Sequence, residues 1–129
     1  MIKDTIATWH HIVQEKDAAG LEKILADNVV FHSPVVHTPQ AGKPITLLYL
    51  TAALHVLNND SFQYLREVIS GNQAVLEFQT VIDGITINGV DMMIWNEDGK
   101  ITDFKVMIRP LKAVNLVHKM MGDMLQKIK

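Results

Sequence analysis

The chain contains no cysteine, which excludes a disulfide framework and any thiol nucleophile or thiolate metal ligand. It also lacks an apolar run long enough to cross a bilayer, and Met1-Ile2-Lys3-Asp4 is not an apolar targeting segment. A cytoplasmic protein with no membrane association is therefore expected. An excess of charge of one sign is missing as well. Twelve Lys and Arg are interspersed with 14 Asp and Glu for a net charge of −2. No stretch is basic enough to neutralise a run of phosphates, so no nucleic-acid partner is expected. Repeats, low-complexity tracts and Pro/Gly-rich linkers are absent too, and 129 residues suit one domain spanning 1–129.

What the chain has in quantity is apolar side chains, 48 % of its residues, including seven methionines. That is more than one small core needs, and it leaves apolar surface for a ligand, a partner subunit, or both. The flexible thioethers of Met suit irregular packing around a variable shape, and equally suit plain core filling.

The first half reads as helices. Ile6, Trp9, Ile12 and Val13 share one face of a helix over 3–15. Asp17 reads as the N-cap of a short second helix through Leu21, Ile24 and Leu25. Asn28 to Ser33 is a strand by composition, followed by a Pro-punctuated loop from Pro34 to Gly42. Lys43 to Leu57 is a long helix that tolerates Pro44 in its first turn. After that the period changes to two. Phe62–Ile69, Ala74–Ile82, Ile85–Trp95 and Ile101–Ile108 are four strands, separated by Gly71-Asn72, Asp83-Gly84 and Asp98-Gly99. An amphipathic helix from Leu111 to Ile128 closes the chain, its apolar face available to a pocket mouth or to a neighbouring subunit. Helices followed by an antiparallel meander indicate an α+β fold.

The run Asp27-Asn28-Val29-Val30-Phe31-His32-Ser33-Pro34-Val35, the following Gly42, and Gly89-Val90-Asp91 leading to Asp98-Gly99-Lys100-Ile101 together resemble the nuclear transport factor 2-like superfamily. That superfamily includes ketosteroid isomerases, limonene epoxide hydrolases and SnoaL-like polyketide cyclases. The resemblance implies a cone, in which a strongly curved antiparallel sheet wraps around N-terminal helices, with a C-terminal helix added. It implies an apolar pocket in the cone and a homodimer. Ketosteroid isomerases place an Asp base in an Asp-Pro-Val segment, a Tyr donor on the first helix and a protonated Asp donor on a strand. The matching positions here are Ser33-Pro34-Val35, Trp9 and Asp91, so one role of three keeps its residue type. Serine lacks the basicity to remove a carbon-bound proton unless another group activates it. Epoxide hydrolases rely on an Asp–Arg–Asp set, and the corresponding strand carries Phe78 and Thr80 instead. SnoaL-like cyclases, which need one acidic residue as acid/base, are the more permissive comparison.

Asp91 is the candidate catalytic residue, because it interrupts the otherwise apolar strand face of Met93 and Trp95. Burial would raise its pKa and let it donate a hydrogen bond. The plainer alternative is a pair with Arg109 or a capped backbone amide. Trp9, Ser33, Tyr49, Phe78, Met93 and Ile108 are the candidate ligand-binding residues, with ordinary helix–sheet packing as the alternative for the two aromatics on helices. Strand alternation sets Phe104, Val106 and Ile108 opposite Arg109, which then points outward unless a bulge intervenes. His10, His11, His32, His37, His55 and His118 form no compact ligand set in sequence, so no metal is expected. No phosphate loop or nucleophile elbow occurs, and no cofactor is expected. Two functions follow: a binder of a small apolar molecule, or an isomerase- or cyclase-type enzyme using Asp91. The enzyme needs Ser33 or Tyr49 beside the same ligand atom. If Met93 and Trp95 fill the cone completely, neither holds.

Overall fold

The computed structural model describes the backbone of residues 2–128 and the side chains of residues 5–127. Met1 and Lys129, the ends of the expected 1–129 domain, lie outside them. Helix α1 (Ile2–Glu15) leads into α2 (Ala18–Ile24). The Asp17 carboxylate accepts from the Gly20 N–H at 3.0 Å, an N-cap that satisfies one of the free donors of the first turn. Strand β1 (Leu25–His32) follows at once, a short β2 (Gln40–Ala41) lies in the Pro-rich loop, and α3 (Lys43–Leu57) comes next. The meander is β3 (Gln63–Ser70), β4 (Gln73–Ile82), β5 (Ile85–Trp95) and β6 (Ile101–Arg109), and α4 (Leu111–Ile128) ends the chain. Between β4 and β5, Asp83 and Gly84 have φ of 51° and 75°, the paired left-handed residues of a two-residue hairpin turn. Among the described residues, no helix is long and apolar enough to cross a membrane.

Apart from one-residue shifts at element ends, the differences from the sequence expectation are around β1, which begins at Leu25 rather than Asn28 and ends before Ser33. Leu25 is extended and belongs to β1, not to the second helix, because it pairs with Ile101. The Pro34–Gly42 loop contains β2, whose Gln40 and Ala41 pair antiparallel with Phe31 and Val30. The six strands form one curved, open sheet in the order β2-β1-β6-β5-β4-β3. All neighbours run antiparallel except β1 and β6, which are parallel. The chain between them includes α3 and the whole β3–β5 meander, so no hairpin constrains their direction.

Alternation sorts β5 cleanly. Ile87, Gly89, Asp91, Met93 and Trp95 are buried on the concave face, while Thr86 and Ile94 are exposed. The helices lie against that face, and two apolar clusters result. One packs the closed end with Ile12, Leu21, Leu25, Met93, Trp95 and Ile101. The other, around Phe78, Ile87 and Val117, lies where α4 meets the sheet.

Candidate functional site

A cavity lies between the two clusters. It takes Trp9 from α1, Tyr49, Leu54 and Leu57 from α3, Phe78 from β4, Asp91 from β5, Phe104, Val106 and Ile108 from β6, and Val117 and Met121 from α4. Counted to its open mouth, it holds ≈ 760 Å³ of non-atom space. Its interior is narrow: only ≈ 80 Å³ admits the centre of a water-sized body. Helix α4 thus covers the cavity of its own chain.

Asp91 is 7 % exposed and lines this cavity. Its Oδ2 accepts a hydrogen bond from the Tyr64 hydroxyl at 2.7 Å. The same hydroxyl oxygen accepts from the Trp9 indole N–H at 3.0 Å. The donor chain runs from α1 through β3 to β5 and ends on the carboxyl. Oδ1 has no hydrogen-bond partner among the described residues, which leaves it as the free polar atom of the group. Burial pushes the carboxyl up to about 7, and the Tyr64 hydrogen bond only partly opposes that rise. The Tyr64 phenol is held well above its ordinary value, first by burial and then by the charge and hydrogen bond of Asp91. Near neutral pH, Tyr64 is therefore a fixed donor, and Asp91 is the group that exchanges a proton.

Five of the six expected ligand-binding residues line the cavity: Trp9, Ser33, Tyr49, Phe78 and Ile108. Met93 does not. It shares the face of Asp91, as alternation requires, but lies one pair closer to the closed end, 1 % exposed among Trp9, Leu76 and Phe104 in the solid core. Met93 and Trp95 fill only that end of the cone. Ser33 Oγ accepts from its own loop's Val35 N–H at 3.1 Å, and no carboxylate or imidazole bonds to it among the described residues. Tyr49 stacks on Phe31 with centroids 5.4 Å apart. Arg109 is exposed on the outer face and pairs across from Asn88, so it does not neutralise Asp91. His32 also points away from the cavity and meets Asp103 at 2.9 Å.

Sequence reasoning missed Tyr64. It lies two residues after Phe62, which just precedes β3, and that period-two spacing was the available signal. Its meeting with Asp91 depends on two strand registers and on a shift between Tyr64 and Arg66 in the β3–β4 pairing, which periodicity does not encode. Asn58, just after α3, was missed too. It lines the cavity, and its side chain donates to the Val13 carbonyl, joining α3 to α1.

Gly89 has a packing role. A Cβ there would lie 2.5 Å from the Met107 carbonyl oxygen and 2.6 Å from the Phe78 ring. The missing side chain lets the Phe78 ring pack directly against Gly89 and form one wall of the cavity.

The chain is similar over its whole length to a steroid delta-isomerase from Pseudomonas aeruginosa. They share 34 % identity over 98 % of this chain and 93 % of that one, with a TM-score of 0.91. It is similar also to an uncharacterised protein with a cystatin-like fold from Silicibacter pomeroyi, at 30 % identity, 92 % and 83 % coverage and a TM-score of 0.85. A nuclear transport factor 2-like protein of unknown function from Mesorhizobium loti shares the fold, at 17 % identity, 84 % and 91 % coverage and a TM-score of 0.73. No curated protein sequence matches the chain. Residues 6–104 match the model of the SnoaL-like domain. With that match and those two relatives at 30 % identity or more, the chain belongs to the SnoaL-like family and has the nuclear transport factor 2-like fold.

Proposed function

We propose that the protein binds a small, mainly apolar molecule in the cavity and holds one polar group of it against Asp91. The observation that carries this is the hydrogen-bonded chain Trp9–Tyr64–Asp91 ending in an otherwise apolar hollow. A protonated carboxyl there donates to a carbonyl or hydroxyl oxygen, and the apolar walls supply the rest of the affinity. The narrow interior favours a ligand of one or two rings, because drug-sized ligands usually occupy pockets of about 300 Å³ or more. Phenol and cyclohexanone are suitable minimal probes, with the fluorescence of Trp9 as the signal. Saturable quenching is expected, with affinity about tenfold weaker in Asp91→Ala, the ordinary cost of a lost hydrogen bond to a partly charged group. Ala53→Phe, which fills the cavity from α3, should abolish it. Absence of saturation, or indifference to Ala53→Phe, would contradict the proposal.

A second function has its own support. A carboxyl near neutral pKa is suited to proton transfer, and the Pseudomonas aeruginosa relative is named a steroid delta-isomerase. An isomerase or cyclase of this kind would use Asp91 as acid/base, with Tyr64 as its hydrogen-bonded partner. Against carbon-acid chemistry by two separate groups stands Ser33, whose hydroxyl has no activating base. An isomerase assay on 3-cyclohexenone, a one-ring β,γ-unsaturated ketone of the size the cavity suits, decides between them: the binder gives no turnover above background, and turnover abolished in Asp91→Asn would favour the enzyme.

The protein is further proposed to act in the cytoplasm as a homodimer joined through the outer face of the sheet. Val68 and Met107 are 64 % and 50 % exposed there, beside Val75 and Val90. Arg66, Arg109 and Glu77 supply both signs of charge for a self-complementary contact. Light scattering should give twice the chain mass, and a single chain mass for Val68→Asp.

A further inference from the structure

The carboxyl of Asp91 has no counter-charge. The other titratable side chains lining the cavity are Tyr49 from α3 and Tyr64 from β3, and no Lys, Arg or His lines it among the described residues. His10 meets the Tyr64 ring edge-on, but it pairs with Glu67 and does not line the cavity. The hydrogen-bonded chain also has a fixed direction. An indole nitrogen only donates, so the Tyr64 oxygen accepts from Trp9 and its single proton goes to Asp91 Oδ2. A hydrogen bond donated to a carboxylate favours its charged form. Oδ1 is left for a ligand. Among the described residues, Thr46 Oγ1 is the one sealed side-chain polar atom without a partner, so the equally unpartnered Oδ1 is open to the hollow that Asp91 lines.

The walls are mostly rings. The chain has four Phe, two Trp and two Tyr, and every one of them except Trp95 lines the cavity. Two flank the carboxyl. Asp91 pairs with Leu76 and Val106, and Phe78 and Phe104 stand two residues along from these on the neighbouring strands. Trp9 packs on Phe104 with centroids 4.9 Å apart. Aromatic faces attract a cation, which aliphatic walls do not, and the attraction grows where water is excluded.

We propose that the cavity takes a small amine, bound as an ammonium between Asp91 Oδ1 and the surrounding rings. The inference rests on the cavity being a ligand site and adds the chemical class, a primary amine on a one-ring apolar body. The ammonium brings the positive charge that the lining lacks, and its N–H donates to Oδ1. An alcohol of the same shape gains a hydrogen bond there, but neither the ion pair nor the attraction of the rings. An alkylammonium, like lysine, keeps its own proton up to roughly pH 10. The pair therefore forms with Asp91 ionised, its proton released to water.

Cyclohexylamine and cyclohexanol are the matched probes, titrated calorimetrically into the full chain. At pH 8 the amine should bind about tenfold more tightly than the alcohol. That ratio should itself rise about tenfold from pH 6 to pH 8, because the amine stays charged while Asp91, at about 7 in the folded chain, must lose its proton to receive it. Asp91→Asn should erase both the preference and its dependence on pH, and the wild-type profile keeps the test decisive whatever the stability of that variant. Cyclohexanol binding with the amine no tighter at pH 8, a preference that is flat with pH, or one that survives Asp91→Asn would overturn the amine assignment and leave the cavity proposal standing. Failure of both probes to bind would overturn the two together.

Discussion

The concave face of β5 is one strand with two characters. Toward its end, Met93 and Trp95 are large, apolar and locked into a core with Leu25 and Ile101. Two residues before Met93, Asp91 occupies the same face in the same register and has free volume beside it, and two residues earlier still the Phe78 ring takes the place of a side chain at Gly89. Backbone geometry does not separate Met93 from Asp91, because both lie in regular antiparallel ladder, and the register shift in the β5–β6 pairing comes only between Ile94 and Trp95. Side-chain size and polarity do. A carboxyl does not fill the space that a thioether or an indole fills, and the helices above are held apart by the packed end. A closed end that is rigid keeps an open end hollow, which is how a small domain maintains a site it does not fill.

Substitutions at the packed end should cost most. Trp95→Ala is expected to lose about 3–5 kcal/mol in urea unfolding, and Met93→Ala about 2–5 kcal/mol, because buried volume is removed where neighbours cannot collapse. A loss below about 1 kcal/mol for either would mean that the closed end is not the rigid part. Next comes Gly89→Ala. The methyl clashes with both the Met107 carbonyl oxygen and the Phe78 ring, so both must shift, for about 1–3 kcal/mol of strain. Because Phe78 is a cavity wall, the same substitution should also weaken phenol binding.

The third test uses proton linkage. Asp91 ordinarily titrates near 3.8 and is raised to about 7 in the folded chain. Between those values the folded state keeps the proton that the unfolded state has lost. The favourable contribution is therefore complete at low pH and is lost as pH rises through 7. The slope from this group is at most about 1.4 kcal/mol per pH unit. Asp91→Asn removes it, so the melting temperature of the variant should gain on the wild type as pH rises from 4 to 8. A constant difference across that range would refute the raised pKa. The smallest effect belongs to Met121→Ala at the mouth. Half-buried Met121 should cost under about 1.5 kcal/mol, less than a fully buried Met, while letting in probes larger than phenol.

Much of the fold was legible in the sequence, for identifiable reasons. The period-two runs and the Asp83-Gly84 turn locate the meander, because hairpin registers follow from the turn. The N-cap at Asp17 and Pro44 in the first turn of α3 mark helix starts by local chemistry. The parallel β1–β6 pair was not legible, since its partners are some 70 residues apart and no turn joins them. The site divides in the same way. Asp91 was identifiable as the one acid on an apolar strand face, and Ser33 through the resemblance of Ser33-Pro34-Val35 to the Asp-Pro-Val segment of ketosteroid isomerases. Met93 looked equivalent to Asp91 by alternation, and depth along the cone, which alternation does not carry, set them apart. Tyr64 was hidden because its partnership spans strands β3 to β5 and a register shift.

The most direct test of the account is a carboxyl carbon-13 NMR titration of Asp91, identified by its loss in Asp91→Asn. A midpoint near 7 that moves when phenol is added is the result expected of a buried carboxyl gripping a ligand in an apolar hollow. A midpoint near 4, the ordinary value of a solvated aspartate, unchanged by phenol, would contradict it.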